Sequence, residues 1–145
     1  MHPYRYWATI RVWHPKRDLA PAAKAFGLKP KRMWKAGDPR QTPKGSALPG
    51  VNQQSYWFAQ LTPKRGLSSK QSHVEVFIAK ALKRFAQARP FISRTRATGG
   101  EVELLVSVYG KKNYALMLPP EILSAAGRLG FRLSIDVYPE NQGGL

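Results

Sequence analysis

The chain contains no cysteine. That excludes a disulfide scaffold, a thiol nucleophile and any zinc site built on thiolates. Acidic residues are scarce as well, with eight Asp and Glu against 24 Lys and Arg, for a formal net charge of +16. No apolar run approaches the roughly 20 residues that a membrane-spanning helix needs, so no membrane association is expected. The opening Met1-His2-Pro3-Tyr4-Arg5 lacks the uninterrupted apolar core of a secretory signal. A cytoplasmic location is the resulting expectation.

What is present suits one folded unit. A chain of 145 residues with a 43% hydrophobic share is large enough to bury a core without a staple. The expected domain covers 1–139, with 140–145 as a flexible C-terminal tail. The charge is unevenly spread. Residues 1–70 hold 14 basic side chains and only Asp18 and Asp38, whereas 71–145 hold ten basic and six acidic ones. Such asymmetry gathers positive potential on part of a surface and favours an acidic or polyanionic partner.

Period-two alternation predicts four strands. From Tyr4 to Trp13, Tyr6, Ala8, Ile10 and Val12 share one face, and Arg5, Trp7, Thr9, Arg11 and Trp13 the other. Ser55 to Leu61 is short and aromatic; Glu101 to Tyr109 aligns Val102, Leu104, Val106 and Val108; Arg132 to Tyr138 aligns Leu133, Ile135 and Val137. Minor strands are expected through Lys31–Lys35 and Tyr114–Leu118. Three helices are expected. One follows Asp18 and ends at Gly27. The clearest opens at Ser72-His73-Val74-Glu75, which has the form of a capping box, and Pro90 stops it. The third runs from Pro119-Pro120 to Gly130. Ala36–Gln54, Thr62–Ser69 and Arg89–Gly100 read as loops.

The order contains a weak repeat, strand–helix–Gly, once through Trp7–Leu28 and again through Leu105–Phe131. It predicts an α+β two-layer sandwich: a mostly antiparallel or mixed sheet with helices on one face, built from two βαβ-like halves.

Catalytic patterns are thin. Glu101 and Glu103 lie at i and i+2 on one strand face, with Asp136 expected beside them, but opposite charges on the same face make cross-strand pairing the simpler use. His2, His14 and His73 are far apart and form no metal-binding spacing. No phosphate loop, dinucleotide fingerprint or nucleophile elbow occurs. No catalytic residue, metal ligand or cofactor is expected.

Binding patterns are richer. Arg5, Trp7, Arg11 and Trp13 alternate along one strand, with Tyr109 and Tyr138 expected on the same side of neighbouring strands. Guanidinium and aromatic groups on an open sheet can stack bases and hold phosphates. The competing reading is that the Ala36–Gln54 loop crosses this face and seals the tryptophans into a second small core. A further cationic run holds Lys29, Lys31, Arg32, Lys35, Arg40 and Lys44, with Trp34 among them and only Asp38 opposing.

Gly27-Leu28-Lys29-Pro30, Met33-Trp34-Lys35-Ala36-Gly37-Asp38, Ser55-Tyr56-Trp57, Ala97-Thr98-Gly99-Gly100 and Ile135-Asp136-Val137-Tyr138 span most of the chain. In these segments it resembles the uncharacterised bacterial domain-of-unknown-function family 4279. The resemblance implies a small, stand-alone bacterial α+β protein with no catalytic residues to transfer. Small bacterial families of this kind often look like immunity proteins that silence a toxin. The leading expectation is therefore a non-enzymatic binding protein that neutralises an acidic toxin or effector through its basic surface. The partner-binding residues would be Arg5, Trp7, Arg11, Trp13, Lys31, Arg32, Trp34, Lys35, Arg40, Tyr109 and Tyr138. The alternative is a nucleic-acid-binding protein that uses the basic, aromatic sheet face.

Overall fold

A computed structural model describes residues 2–139, so the expected tail at 140–145 lies outside the described residues. Along the chain it forms β1 (Arg5–His14), α1 (Ala22–Phe26), β2 (Arg32–Trp34), β3 (Pro39–Gln41), β4 (Ala47–Val51), β5 (Ser55–Gln60) and β6 (Leu67–Ser68). α2 (Val74–Arg84), α3 (Arg89–Ala97), β7 (Glu101–Gly110), α4 (Pro120–Leu129) and β8 (Arg132–Pro139) follow, with a 3-10 turn at Phe85–Ala88 joining α2 to α3.

The main sheet runs β2-β5-β1-β7-β8, with β6 pairing the start of β1. Every pair is antiparallel except β7–β8, so the sheet is mixed. The alternation of β1 emerges as read. Tyr6, Ala8, Ile10 and Val12 are fully buried, and their neighbours lie on the opposite face. Across the sheet, Trp57, Ala59, Val102, Leu104, Val106 and Val108 join them against Phe26, Ile78, Leu82, Phe85, Ile92, Ile122 and Ala126 of the helical layer. Fully burying a side chain of this size contributes roughly 1.5–3 kcal/mol, so this one inner layer holds the fold together. All the helices pack on it, which leaves the outer face of the sheet free of helices.

The second βαβ half is realised as expected, with β7 and β8 adjacent, parallel and joined through α4. The first half differs. β2 runs parallel to β1, but β5 lies between them and pairs with both in antiparallel fashion. The aromatic Trp57 on β5 supplies the reason. Its ring stacks on Phe26 of α1 at 5.7 Å, so β5 is drawn into the centre of the core.

Four local expectations are corrected. The Ser72 capping box does not form; His73 is the N-cap, and its side chain accepts no backbone N–H of the first turn. Instead the Tyr4 hydroxyl accepts from Val74 N at 3.1 Å and faces Glu75 Oε1 at 3.3 Å. Burial pushes the Tyr4 phenol up to about 12, so it stays a neutral cap. Pro90 does not end the helical region. It occupies the first turn of α3, where no N–H is needed, so Arg89–Gly100 is largely helix. Tyr114–Leu118 forms no strand. The Tyr114 ring turns inward against Tyr4 at 5.1 Å, and Glu75 Oε2 accepts from Met117 N at 3.2 Å, so side chains rather than a ladder hold this segment. Finally, Ala36–Gln54 is not bare loop but carries the β3–β4 hairpin. Among the described residues no helix is long and apolar enough to cross a membrane.

Candidate functional site

Register fixes how the outer-face side chains meet. Trp34, Tyr56, Trp13 and Glu101 form one row across β2, β5, β1 and β7; Arg32, Phe58, Arg11, Glu103 and Arg132 form the next, ending on β8. Arg5, Tyr109 and Tyr138 form a distant row at the other end of the sheet. The expected site residues on the outer sheet face thus fall into two groups, with Thr9, Gln60 and Leu105 between them.

In the first group Tyr56 sits between Trp34 (4.8 Å) and Trp13 (5.6 Å), and Phe58 adjoins it at 5.6 Å. Two guanidinium groups lie on these rings, Arg11 over Trp13 at 4.7 Å and Arg32 over Trp34 at 4.9 Å. Tyr56 and Phe58 were not among the expected site residues. The same alternation that buries Ser55, Trp57 and Ala59 puts them outside, and that pattern was the available signal. Burial raises the Tyr56 phenol, which Arg11 partly offsets.

The acidic residues on this face do not converge. Glu103 is buried and ion-paired with Arg11 at 2.7 Å, and its other oxygen accepts from the Ser134 hydroxyl at 2.7 Å. Glu101 lies 3.6 Å from Arg132. Asp136 is opposite Ser107, well along the sheet from Glu103, and faces the Tyr138 hydroxyl at 3.4 Å. Each carboxylate is engaged with its own neighbour, and Asp136 does not stand beside the other two.

In the second group Trp7 meets Tyr109 edge-on at 5.0 Å, and Tyr109 stacks flat on Tyr138 at 4.7 Å. The Ala36–Gln54 segment does not cover Trp7. The loop after β5 does: Trp7 Nε1 donates to Lys64 O at 3.0 Å, and Arg5 Nη2 donates to Arg65 O at 2.8 Å. Gly66 makes that close approach possible. With φ +75° it adopts a backbone that side chains rarely take, and a Cβ there would lie 2.7 Å from Trp7 Cε2. Trp7 and Trp13 are consequently half-buried, neither open platforms nor sealed core.

The β3–β4 hairpin has a different place. It stands beside β2 and encloses a cleft of about 660 Å³ lined by Arg32, Trp34, Asp38, Arg40, Gln41 and Leu48 among others. That volume is within the usual range for small-ligand sites. Arg32 spans the cleft and donates to Gln41 O at 2.7 Å; Arg40 donates to Pro49 O at 3.2 Å. Each carbonyl orients a guanidinium that carries five N–H donors, so others remain for a carboxylate. Trp34 Nε1 donates to Gln54 O at 3.1 Å, which fixes the orientation of an indole that lines the cleft. Lys31 and Lys35 flank β2 and are exposed; Lys31 Nζ reaches Gln60 Oε1 at 3.3 Å. Asp38 is the one acidic lining residue, and it accepts from Lys35 N in a turn. Of the cationic run, Arg32 and Arg40 line the cleft, and Lys31 and Lys35 stand exposed at either end of β2.

No curated protein and no solved structure matches the chain. A family described as "Domain of unknown function (DUF4279)" matches residues 2–140. With nearly the whole sequence covered, the chain belongs to that family.

Proposed function

We propose that this is a non-enzymatic binding protein of the immunity type, which neutralises an acidic toxin or effector by docking it on the β2–hairpin edge. The observation that carries the reading is the cleft lined by Arg32, Arg40 and Trp34, in which each arginine is anchored to a backbone carbonyl and Arg32 lies over the Trp34 ring. Pre-oriented arginines beside an aromatic ring suit a partner's carboxylates and an adjoining apolar side chain, the composition typical of protein–protein hot spots. Lys31 and Lys35 at the rim would steer the encounter.

The nucleic-acid reading draws on the Tyr109–Tyr138 stack, since Tyr138 is 44% exposed on the edge strand. Two features weigh against it. Arg11 is ion-paired with the buried Glu103, and Trp7 lies under the Lys64–Gly66 loop, to which its Nε1 donates. Co-expression with proteins encoded beside it, followed by pull-down at physiological salt, tests the choice. Recovery of an acidic protein whose toxicity is suppressed supports the proposal. Recovery of nucleic acid alone, or of nothing, counts against it.

A further inference from the structure

The two edges of the sheet are built differently. β2 is three residues long, flanked by Lys31 and Lys35 and shouldered by the hairpin, all devices that stop an edge from pairing with another chain. β8 has none of these. It is eight residues long, with no lysine, no bulge in its register with β7, and proline only at its last position. Its other edge has no strand partner among the described residues. Val137 on it is 62% exposed even though it belongs to the inward-facing set.

The β8 sequence, Arg132-Leu133-Ser134-Ile135-Asp136-Val137-Tyr138-Pro139, indicates what completes this edge. Arg132, Ser134 and Asp136 share the outer face, and Leu133 and Ile135 the inner one. In a net +16 protein this strand is electrically neutral, with one cation and one anion four residues apart. An antiparallel copy centred on Ser134 places Arg132 opposite Asp136 twice and Leu133 opposite Ile135 twice. Directly opposite charges and apolar pairs are the favourable cross-strand combinations. Shifting the centre to Asp136 would set the two aspartates against each other. A two-fold axis through Ser134 is the symmetric, self-complementary arrangement that most homodimers use.

We propose that β8 is a homodimerisation edge, on which a second copy of this chain adds in antiparallel register with reciprocal Arg132–Asp136 pairs. The two sheets then continue into each other, with helices on one side and both outer faces on the other. The cationic β2 edges lie at the far ends, where a Debye length near 8–10 Å screens one from the other. This inference does not depend on the identity of any toxin or effector.

Sedimentation equilibrium of the purified full chain over a wide concentration range provides the test. The expected species has twice the 16.3 kDa of one chain. Asp136→Lys sets a cation against Arg132 at both ends and should weaken dimerisation by about tenfold or more. Adding Arg132→Asp to that variant reverses both signs and should restore association. Far-UV circular dichroism of each variant checks that the fold is retained. A wild-type chain that stays at 16.3 kDa at every concentration overturns the proposal, as does a folded Asp136→Lys variant as dimeric as wild type. Should the variants misfold, concentration-dependent protection of β8 amides from hydrogen exchange in the wild-type chain decides the matter. Protection that does not vary with concentration overturns the proposal.

Discussion

Arg11 and Glu103 face each other across β1 and β7 with 2.7 Å between Nη2 and Oε1, and their burial is unequal: the arginine side chain is 31% exposed and the glutamate 4%. The pair does more than join two strands. Arg11 also lies over Trp13, and Glu103 also accepts from Ser134 on β8. One ion pair thus links the edge strand β8 to the aromatic row that leads to Trp34.

The inequality yields a directional prediction. Replacing Arg11 by Leu strands a nearly buried carboxylate and should cost about 3–5 kcal/mol. Replacing Glu103 by Leu leaves a cation that can still reach water, and should cost less, about 1–2 kcal/mol after allowance for solvent screening. The double replacement should be more stable than Arg11→Leu alone. Urea unfolding of the three variants measures this, and equal losses for the two single changes would refute the account.

Gly66 should tolerate no side chain. Alanine there adopts a left-handed backbone and drives its Cβ into the Trp7 indole, so a loss of about 1–3 kcal/mol is expected. Adding Trp7→Ala removes the indole from its path, and the further cost of Gly66→Ala in that background should shrink to the backbone strain and the 2.8 Å approach to Tyr6 O. If the Gly66→Ala penalty is the same in both backgrounds, the loop does not rest on Trp7 as described.

His14 supplies a pH dependence. Its Nδ1 accepts from Lys16 N at 3.0 Å and Arg17 N at 2.8 Å, so the folded protein needs that nitrogen unprotonated, with Nε2 facing Thr98 Oγ1 at 2.9 Å. Burial lowers its pKa below the usual 6.5, and the Arg17 charge adds to the effect. Because the folded value is the lower one, the unfolded chain binds the proton first as pH falls. The stabilisation is complete above about 6.5 and is lost as pH falls from there through the folded value. Asparagine can accept the same two backbone bonds without titrating. His14→Asn should therefore flatten the dependence of stability on pH in the mildly acidic range, read by thermal melts at stepped pH. An unchanged slope would show that His14 is not its source.

These tests rest on features of unequal visibility in the sequence. The strand faces were legible because alternation is local: Ile10 and Val12 go inward and Arg11 and Trp13 outward whatever the topology. Placing Tyr56 between two tryptophans was not, because it depends on β5 inserting between β2 and β1, a long-range choice driven by Trp57 packing on Phe26. Pro90 misled because proline forbids a helix interior yet suits a first turn, and only the packing of Ile92 shows which applies. The Ser72 box was misleading because the group that accepts from the helix start, the Tyr4 hydroxyl, is remote in sequence. The cationic run was visible as a run. The cleft that Arg32 and Arg40 line depends on the β3–β4 hairpin, whose turn at Thr42–Ser46 needs Gly45 at φ +89°.

The cleft makes the most direct demand. Once a partner is recovered, its affinity should be measured by calorimetry for wild type and for the Arg32→Glu/Arg40→Glu double variant at matched salt. Reversing two pre-oriented cations against an acidic surface should weaken binding by at least about a hundredfold, with the fold intact by circular dichroism. An affinity that stays within a few-fold of wild type would contradict the claim that the partner docks on the β2–hairpin edge.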